Sequence, residues 1–266
     1  MAGLILNDDD LAVLARRLEA PVRRAGDCIM QFYQQSPDTD IKADGSPVTE
    51  ADRAAEAILL PAIRALAPDI PIISEENPAS HKLPPAARFF LVDPLDGTKE
   101  FIRPGGKGAF TVNIGLIEDG VPVMGIIYAP ALDRLFFGSR HRGAFEDGGD
   151  NKPHMIAVRR PVAGARVAVA SASHRDSKTN DWLAAQHINK TIAMGSSLKF
   201  CLVAAGEADA YPRFGPTMEW DTAAGDAILR ASGGRVEAAD GTLFTYGKPG
   251  YRNGPFFAYG AISSSK

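Results

Sequence analysis

The sequence predicts an α+β region joined to an α/β region, and three observations carry that prediction. Apolar residues at helical spacing open the chain, a block of short β-rich runs with a hairpin link follows, and helices and strands alternate thereafter. At about 150 residues per domain, a chain of 266 residues fits one large unit or two closely packed ones. The expected division is residues 1–150, holding an antiparallel sheet, and residues 151–266, with the boundary in the turn-rich stretch 147–155.

Residues 9–35 read as an amphipathic helix, with Leu11, Leu14, Leu18, Val22, Ile29 and Phe32 recurring near helical spacing. Pro21 is expected to kink it or to open a new turn. A second helix follows Thr49, where Thr49 and Asp52 resemble a capping arrangement and Ile58, Leu59 and Ile63 form the buried side. Strands are expected over 70–73, 89–92, 110–117, 121–128 and 134–137, with Glu118-Asp119-Gly120 as a hairpin turn. In the second half, 166–170 reads as a strand and 177–186, 197–205 and 221–232 as helices, the last ended by Gly233-Gly234. Strands recur over 235–237 and 256–259.

Composition narrows the function classes. Hydrophobic residues at 45% and charged residues at 23% are ordinary for a soluble globular protein. A formal charge of −3 provides no global field for a nucleic-acid polymer, although a nucleotide needs only a local patch. Leu4-Ile5-Leu6 is too short for a signal peptide, and no stretch approaches the ~18 apolar residues of a membrane span. A cytoplasmic protein without an integral membrane segment is expected. Cys28 and Cys201 lie far apart in apolar helical patterns and read as buried free thiols.

The most informative segment is Leu91-Val92-Asp93-Pro94-Leu95-Asp96-Gly97-Thr98-Lys99-Glu100. An apolar strand delivers one carboxylate at its end, and a proline turn offers a second, followed by a hydroxyl. Hard divalent cations take several oxygens at once, and two acids on one turn can bridge paired ions for phosphoryl displacement. The plainer alternative is a capped turn whose aspartates bond their own backbone. Three further segments lie elsewhere in the chain: Ser74-Glu75-Glu76, Trp220-Asp221-Thr222-Ala223-Ala224-Gly225, and the upstream run from Asp44 to Asp52. No histidine falls within the acidic motifs, and an oxygen-only donor set suits Mg²⁺ better than Zn²⁺.

These four segments, in this order, resemble the inositol monophosphatase family of metal-dependent, lithium-sensitive phosphatases, over nearly the whole chain. The resemblance implies a layered αβαβα sandwich of the inositol monophosphatase and fructose-1,6-bisphosphatase type. It narrows toward the bacterial 3′(2′),5′-bisphosphate nucleotidases at three places: Asp96-Gly97-Thr98-Lys99-Glu100-Phe101, the run Gly195-Ser196-Ser197-Leu198-Lys199 and the run Tyr211-Pro212-Arg213-Phe214-Gly215. The implied reaction is hydrolysis of adenosine 3′,5′-bisphosphate to AMP and phosphate, with the sulfated analogue as an alternative substrate.

The resemblance further implies that Glu75, Asp93, Asp96 and Asp221 ligate two or three Mg²⁺ ions, with the Leu95 carbonyl as an added oxygen. Li⁺ is expected to inhibit. Asp52 and Thr98 correspond to the pair that activates the attacking water, with Glu75 beside them; a structural role remains open for each, as a helix-terminal carboxylate and a turn hydroxyl. Glu76 is the lesser of its pair. A second phosphate needs its own donors, for which Lys199, Arg213, a helix start at Ser196, and His174 are candidates, with Gly97, Gly195 and Asp221 alongside. Most metal ligands thus fall in the first region and the substrate contacts in the second. Two departures from the family pattern concern local loops: Ala172 where many relatives carry arginine, and Asn253-Gly254-Pro255 in place of Asn-Pro. Tyr211 and Phe214 are open between stacking on a base and core packing. The rivals are an inositol or sugar monophosphatase on the same scaffold and a catalytically silent homologue. A monomer or homodimer, located in the cytoplasm or peripherally at the inner membrane face, completes the expectation.

Overall fold

The structure, a computed structural model, describes residues 7–34, 39–41, 47–84, 86–102, 108–161, 164–171 and 176–261. Helix α1 (Asp8–Gln34) is followed by the ribbon β1 (Thr39–Ile41) and β2 (Pro47–Thr49) and by α2 (Glu50–Leu66). The start of α1 is locally determined. Asn7 Oδ1 accepts the Asp9 and Asp10 amides at 2.9 and 3.0 Å, while the Asp10 carboxylate accepts the Asn7 amide at 3.0 Å. That reciprocal cap satisfies amides that have no partner within the helix. The stripe Leu11, Leu14, Leu18, Val22 and Ile29 is buried as its spacing predicts, and the helix runs on through Pro21.

The chain next builds a sheet from β3 (Ile72–Ser74), β4 (Arg88–Asp96), β5 (Thr111–Glu118), β6 (Val121–Ala129), β7 (Arg134–Ser139), β8 (Gly143–Asp147) and β9 (His154–Ile156), with the short helix α3 (Thr98–Ile102) between β4 and β5. These seven strands lie in sequence order, β3 parallel to β4 and every later pair antiparallel. The β5–β6 turn places Asp119 and Gly120 at φ 49° and 77°, the paired left-handed geometry of a two-residue hairpin. Both faces of the sheet are covered. Phe90, Val92 and Ile114 pack toward α1 and α2, whereas Phe89, Leu91 and Ile117 join the opposite core. Burial on two sides explains why these strands read as continuous apolar runs.

The remaining strands are β10 (Val167–Ser171), β11 (Lys190–Met194), β12 (Ala210–Arg213), β13 (Thr217–Met218), β14 (Arg235–Ala238), β15 (Arg252–Asn253) and β16 (Phe256–Tyr259). Five of them form a mixed sheet in the order β11-β10-β12-β16-β14, and β13 pairs with β15. The helices are α4 (Ser177–Ala185), α5 (Leu198–Ala204) and α6 (Ala223–Ala231). α5 and α6 lie between the two sheets, and α4 packs on the outer sheet through Leu183. The order helices, sheet, helices, sheet, helix is the layered sandwich that the resemblance implies.

One packing detail positions the site. Gly115 on β5 and Gly125 on β6 stand opposite each other, and the start of α6 rests on them. A Cβ at Gly125 would lie 2.2 Å from the Ala224 carbonyl oxygen, and one at Gly115 would lie 2.7 Å from Ala223 Cβ. Only glycine lets the helix approach so closely.

Several elements differ from the sequence reading. Strands β8, β9, β11 and β12 carry weak signals, because β9 and β11 are edge strands with exposed residues and β12 contains Pro212. The expected helix at 221 begins at Ala223 instead, after a 3₁₀ turn over Glu219–Asp221. Cys201 is buried as expected but Cys28 is half-buried, and both are free thiols. No helix among the described residues is long and apolar enough to cross a membrane.

Candidate active site

The end of β4 contains the feature that aims the first two carboxylates. Residues three apart in a regular strand point to opposite faces. Here Asp93 pairs with Asn113 and Asp96 with Thr111, so the stretch through Pro94 and Leu95 holds one residue more than its partner strand. The bulge brings Asp93 and Asp96 onto one face. Pro94, which has no amide hydrogen for a sheet ladder, sits at this irregularity. The Leu95 amide donates to Asp93 Oδ1 at 3.0 Å, and Gly97 takes φ 91° to turn the chain into α3.

Glu75 arrives from the neighbouring strand. It follows β3, and its amide donates to the Val92 carbonyl at 3.1 Å, which sets it beside Asp93. Asp221 arrives from across the sheet, at the turn before α6. Its Oδ2 accepts the Met218 amide at 2.8 Å. The turn is pinned from outside by Asn253, whose Nδ2 donates to Thr217 Oγ1, the Met218 carbonyl and Thr222 Oγ1 at 3.1, 2.8 and 3.0 Å.

Carboxylate oxygens of Glu75, Asp93 and Asp221 lie within 4.8 Å of one another. Asp96 stands beside this trio rather than in it. Its Oδ2 accepts the Ser196 hydroxyl and the Ser197 amide, both at 2.6 Å. Burial, and then repulsion from Glu75, Asp96, Asp221 and Asp52, pushes the Asp93 carboxyl well above the usual range. Burial, then Asp96 and Glu75, does the same to Asp221. At an effective dielectric near 20, charges this close repel by roughly 3–4 kcal/mol a pair. Three ionised carboxylates at that spacing need a counter-charge, and a donor set made only of oxygens suits a hard divalent cation. These residues therefore fit the metal site that the sequence implied, with Asp96 and the Leu95 carbonyl as neighbouring oxygens.

The other sequence-predicted residues gather around this point. Thr98 opens α3, and its Oγ1 donates to the Leu95 carbonyl at 3.4 Å. Asp52, in the first turn of α2, is buried within electrostatic reach of Asp93. A cleft of about 220 Å³ lies above, lined among others by Glu75, Asp96, Thr98, Lys199, Arg213 and Asp221. Gly97 and Ser196 line it too. Gly195 is beside it, where a Cβ would meet the Ala109 carbonyl oxygen at 2.7 Å and the Glu100 side chain at 2.8 Å.

Lys199 is buried against the Tyr211 ring, its amine donating to the Ser196 carbonyl. Burial pulls it down to about 8, with the Asp96 charge opposing. Arg213 ends β12 with its guanidinium bonded to the Gly215 and Pro216 carbonyls. Tyr211 packs edge-on against Phe200 and Phe256, and Phe214 edge-on against Phe257. His174 and Asp44 lie outside the described residues.

Two uncharged residues, Thr111 and Asn113, escaped the sequence reading. Thr111 Oγ1 meets the hydroxyls of Ser196 and Ser197, and the Ser197 hydroxyl donates to Asn113 Oδ1 at 2.6 Å. Ser196 itself holds φ 53°, a left-handed conformation that is costly for a residue with a side chain. This buried network ties β5, the partner of the bulged strand, to the start of α5. Polar residues at alternate positions of an otherwise apolar strand, Thr111 and Asn113, were the available signal.

The family model described as the inositol monophosphatase family matches residues 10–262. The chain is 44% identical over 227 residues to a 3′(2′),5′-bisphosphate nucleotidase CysQ of Shigella flexneri, across 84% of this chain and 90% of that protein. Among solved structures, CysQ from Bacteroides thetaiotaomicron superposes with a TM-score of 0.78 at 38% identity, covering 94% of this chain and 97% of the other. An inositol monophosphatase from Anabaena (Nostoc) sp. PCC 7120 gives a TM-score of 0.71 at 27% identity, covering 94% and 91%.

Proposed function

We propose, for a chain that belongs to the inositol monophosphatase family, that the cleft is the active site of a metal-dependent 3′(2′),5′-bisphosphate nucleotidase. Its substrate on this reading is adenosine 3′,5′-bisphosphate, hydrolysed to AMP and phosphate, with the sulfated analogue as a second substrate. One observation carries the reading: a single cleft is lined by Glu75, Asp96 and Asp221 and also by Lys199 and Arg213. An acidic wall requires cations before it can take a phosphate, whereas basic side chains take one directly. A ligand with two phosphates uses both.

Glu75, Asp93, Asp96, Asp221 and the Leu95 carbonyl would hold Mg²⁺, which supplies charge neutralisation of the scissile phosphate and acidification of the attacking water. Thr98 Oγ1 orients that water and, with Asp52 as the acceptor, draws off its proton. Lys199 and Arg213 bind the second phosphate, with Ser196, Gly195 and Gly97 shaping the backbone around it and His174 as a further donor. The Ser197 amide is already spent on Asp96, so side-chain cations carry more of the second phosphate than the start of α5 does. Lithium inhibition and a place in sulfur metabolism follow from the same reading.

The deciding measurement is phosphate release with Mg²⁺ from a panel of nucleotide bisphosphates, inositol phosphates and sugar phosphates, on wild type and Arg213→Ala. The nucleotide bisphosphate is expected to be the preferred substrate. Arg213→Ala should raise its KM by about tenfold or more, the worth of one charge-assisted contact, and leave KM for inositol monophosphate nearly unchanged. Equal changes for both substrates remove Arg213 from the second-phosphate site. Preference for inositol or a sugar phosphate assigns the cleft to the rival activity.

A further inference from the structure

We propose that His81 is a positioning residue that holds the Glu75 and Asp221 carboxylates at cation-binding spacing. The inference rests on the metal-site reading above and adds a residue that lies outside every acidic motif. His81 sits in the 3₁₀ turn Ser80–Lys82 after β3. Its Nε2 lies 2.8 Å from the Ser74 carbonyl oxygen. A carbonyl only accepts, so Nε2 carries the hydrogen. The same ring stacks on Trp220, with centroids 4.7 Å apart and planes 21° from parallel. Ser74 immediately precedes Glu75, and Trp220 immediately precedes Asp221. One imidazole therefore touches the chain neighbour of two acids that come from distant parts of the sequence.

Both contacts are locked from behind. The Ser74 amide donates to Ser80 Oγ at 3.1 Å, and its hydroxyl donates to Glu56. Trp220 also lies against Tyr251, whose hydroxyl donates to the Leu83 carbonyl at 3.2 Å. The contacts thus close a loop from His81 through Trp220 and Tyr251 back to its own turn. Trp220 Nε1 is buried without a hydrogen-bond partner among the described residues. A buried donor left unpaired is costly, so the indole is placed for its stacking faces and not for its N–H. The acids repel one another, and Glu75 and Asp221 share no strand or helix. A rigid link between their backbones opposes the spreading that repulsion favours. Groups behind metal ligands commonly act in this way.

The test is calorimetric titration of the full chain with Mn²⁺ for wild type, His81→Ala, His81→Phe and His81→Gln, alongside metal-free melting curves. His81→Phe keeps the stack, and His81→Gln keeps the donor to Ser74. His81→Ala is expected to raise the Mn²⁺ Kd by about 10- to 100-fold, with each conservative variant recovering part of the loss. A merely structural role would lower the metal-free melting temperature and leave Kd alone, and that result overturns the proposal. If His81→Ala does not fold, Kd values within about twofold of wild type for both other variants overturn it equally. A wild type that takes up no Mn²⁺ would instead overturn the metal-site reading and this inference with it.

Discussion

Asp96 divides its carboxylate between two duties, and its substitution separates them. One oxygen accepts the Ser196 hydroxyl and Ser197 amide at 2.6 Å, which anchors the start of α5, while the residue's charge faces the cleft. Asp96→Asn leaves a carbonyl oxygen for those donors but removes the negative charge from the cation site. Turnover with Mg²⁺ is expected to fall on the order of 10³-fold, several kcal/mol of lost transition-state stabilisation. The metal-free melting temperature should hold or rise, because burial already pushes the Asp96 carboxyl upward. Near-normal turnover in the mutant would remove Asp96 from the reaction. At this scale the sequence was most legible: Glu75, Asp93, Asp96 and Asp221 each sit in a distinctive local string. The roles of Asn113, Thr111 and His81 were not legible, because Ser197, Ser196 and Trp220 lie far along the chain, and the polar alternation at Thr111 and Asn113 does not name such partners.

Among elements, α6 depends most on a feature that local propensity does not reveal. Its first turn rests on the cross-strand pair Gly115 and Gly125, and Asp221 lies two residues upstream of its start. Gly125→Ala would drive a methyl into the Ala224 carbonyl 2.2 Å away, which is backbone and cannot swing aside. The expected cost is about 1–3 kcal/mol of stability, the usual penalty of an overfilled core, with a weaker response to Mg²⁺ as Asp221 is displaced. An unchanged denaturant midpoint would show that the helix is free to shift. Helices α1 and α2 were readable because a stripe at 3.6-residue spacing suffices to define them. The β4 bulge was not, since a proline between two aspartates fits a simple turn equally well. Register against β5 alone distinguishes the two.

For the whole molecule, the crowded acids link stability to pH and to metal. Asp93 and Asp221 are raised in the folded state by burial and by the carboxylates around them. The folded protein thus holds their protons more tightly than the unfolded chain. That contribution to stability is complete below the ordinary carboxylate range near pH 4 and is lost as pH rises through the raised values. Cations displace those protons and bind only the folded site. The rise in melting temperature produced by Mg²⁺ should therefore be larger at about pH 7.5 than at about pH 5.5. A rise of equal size at both values contradicts the linkage, and no rise at saturating metal contradicts a preassembled cluster.

By itself the sequence determined the family, the layered class of fold and the identity of the acidic side chains, because each is written in contiguous residues. Tertiary structure alone decided that Glu75, Asp93 and Asp221 meet within 4.8 Å while Asp96 turns aside to α5. It also decided that Lys199 and Arg213 share their cleft. The physical reason is that these distances depend on strand register, one bulge and the approach of a helix to a pair of glycines, all of which are set by packing between segments remote in the chain.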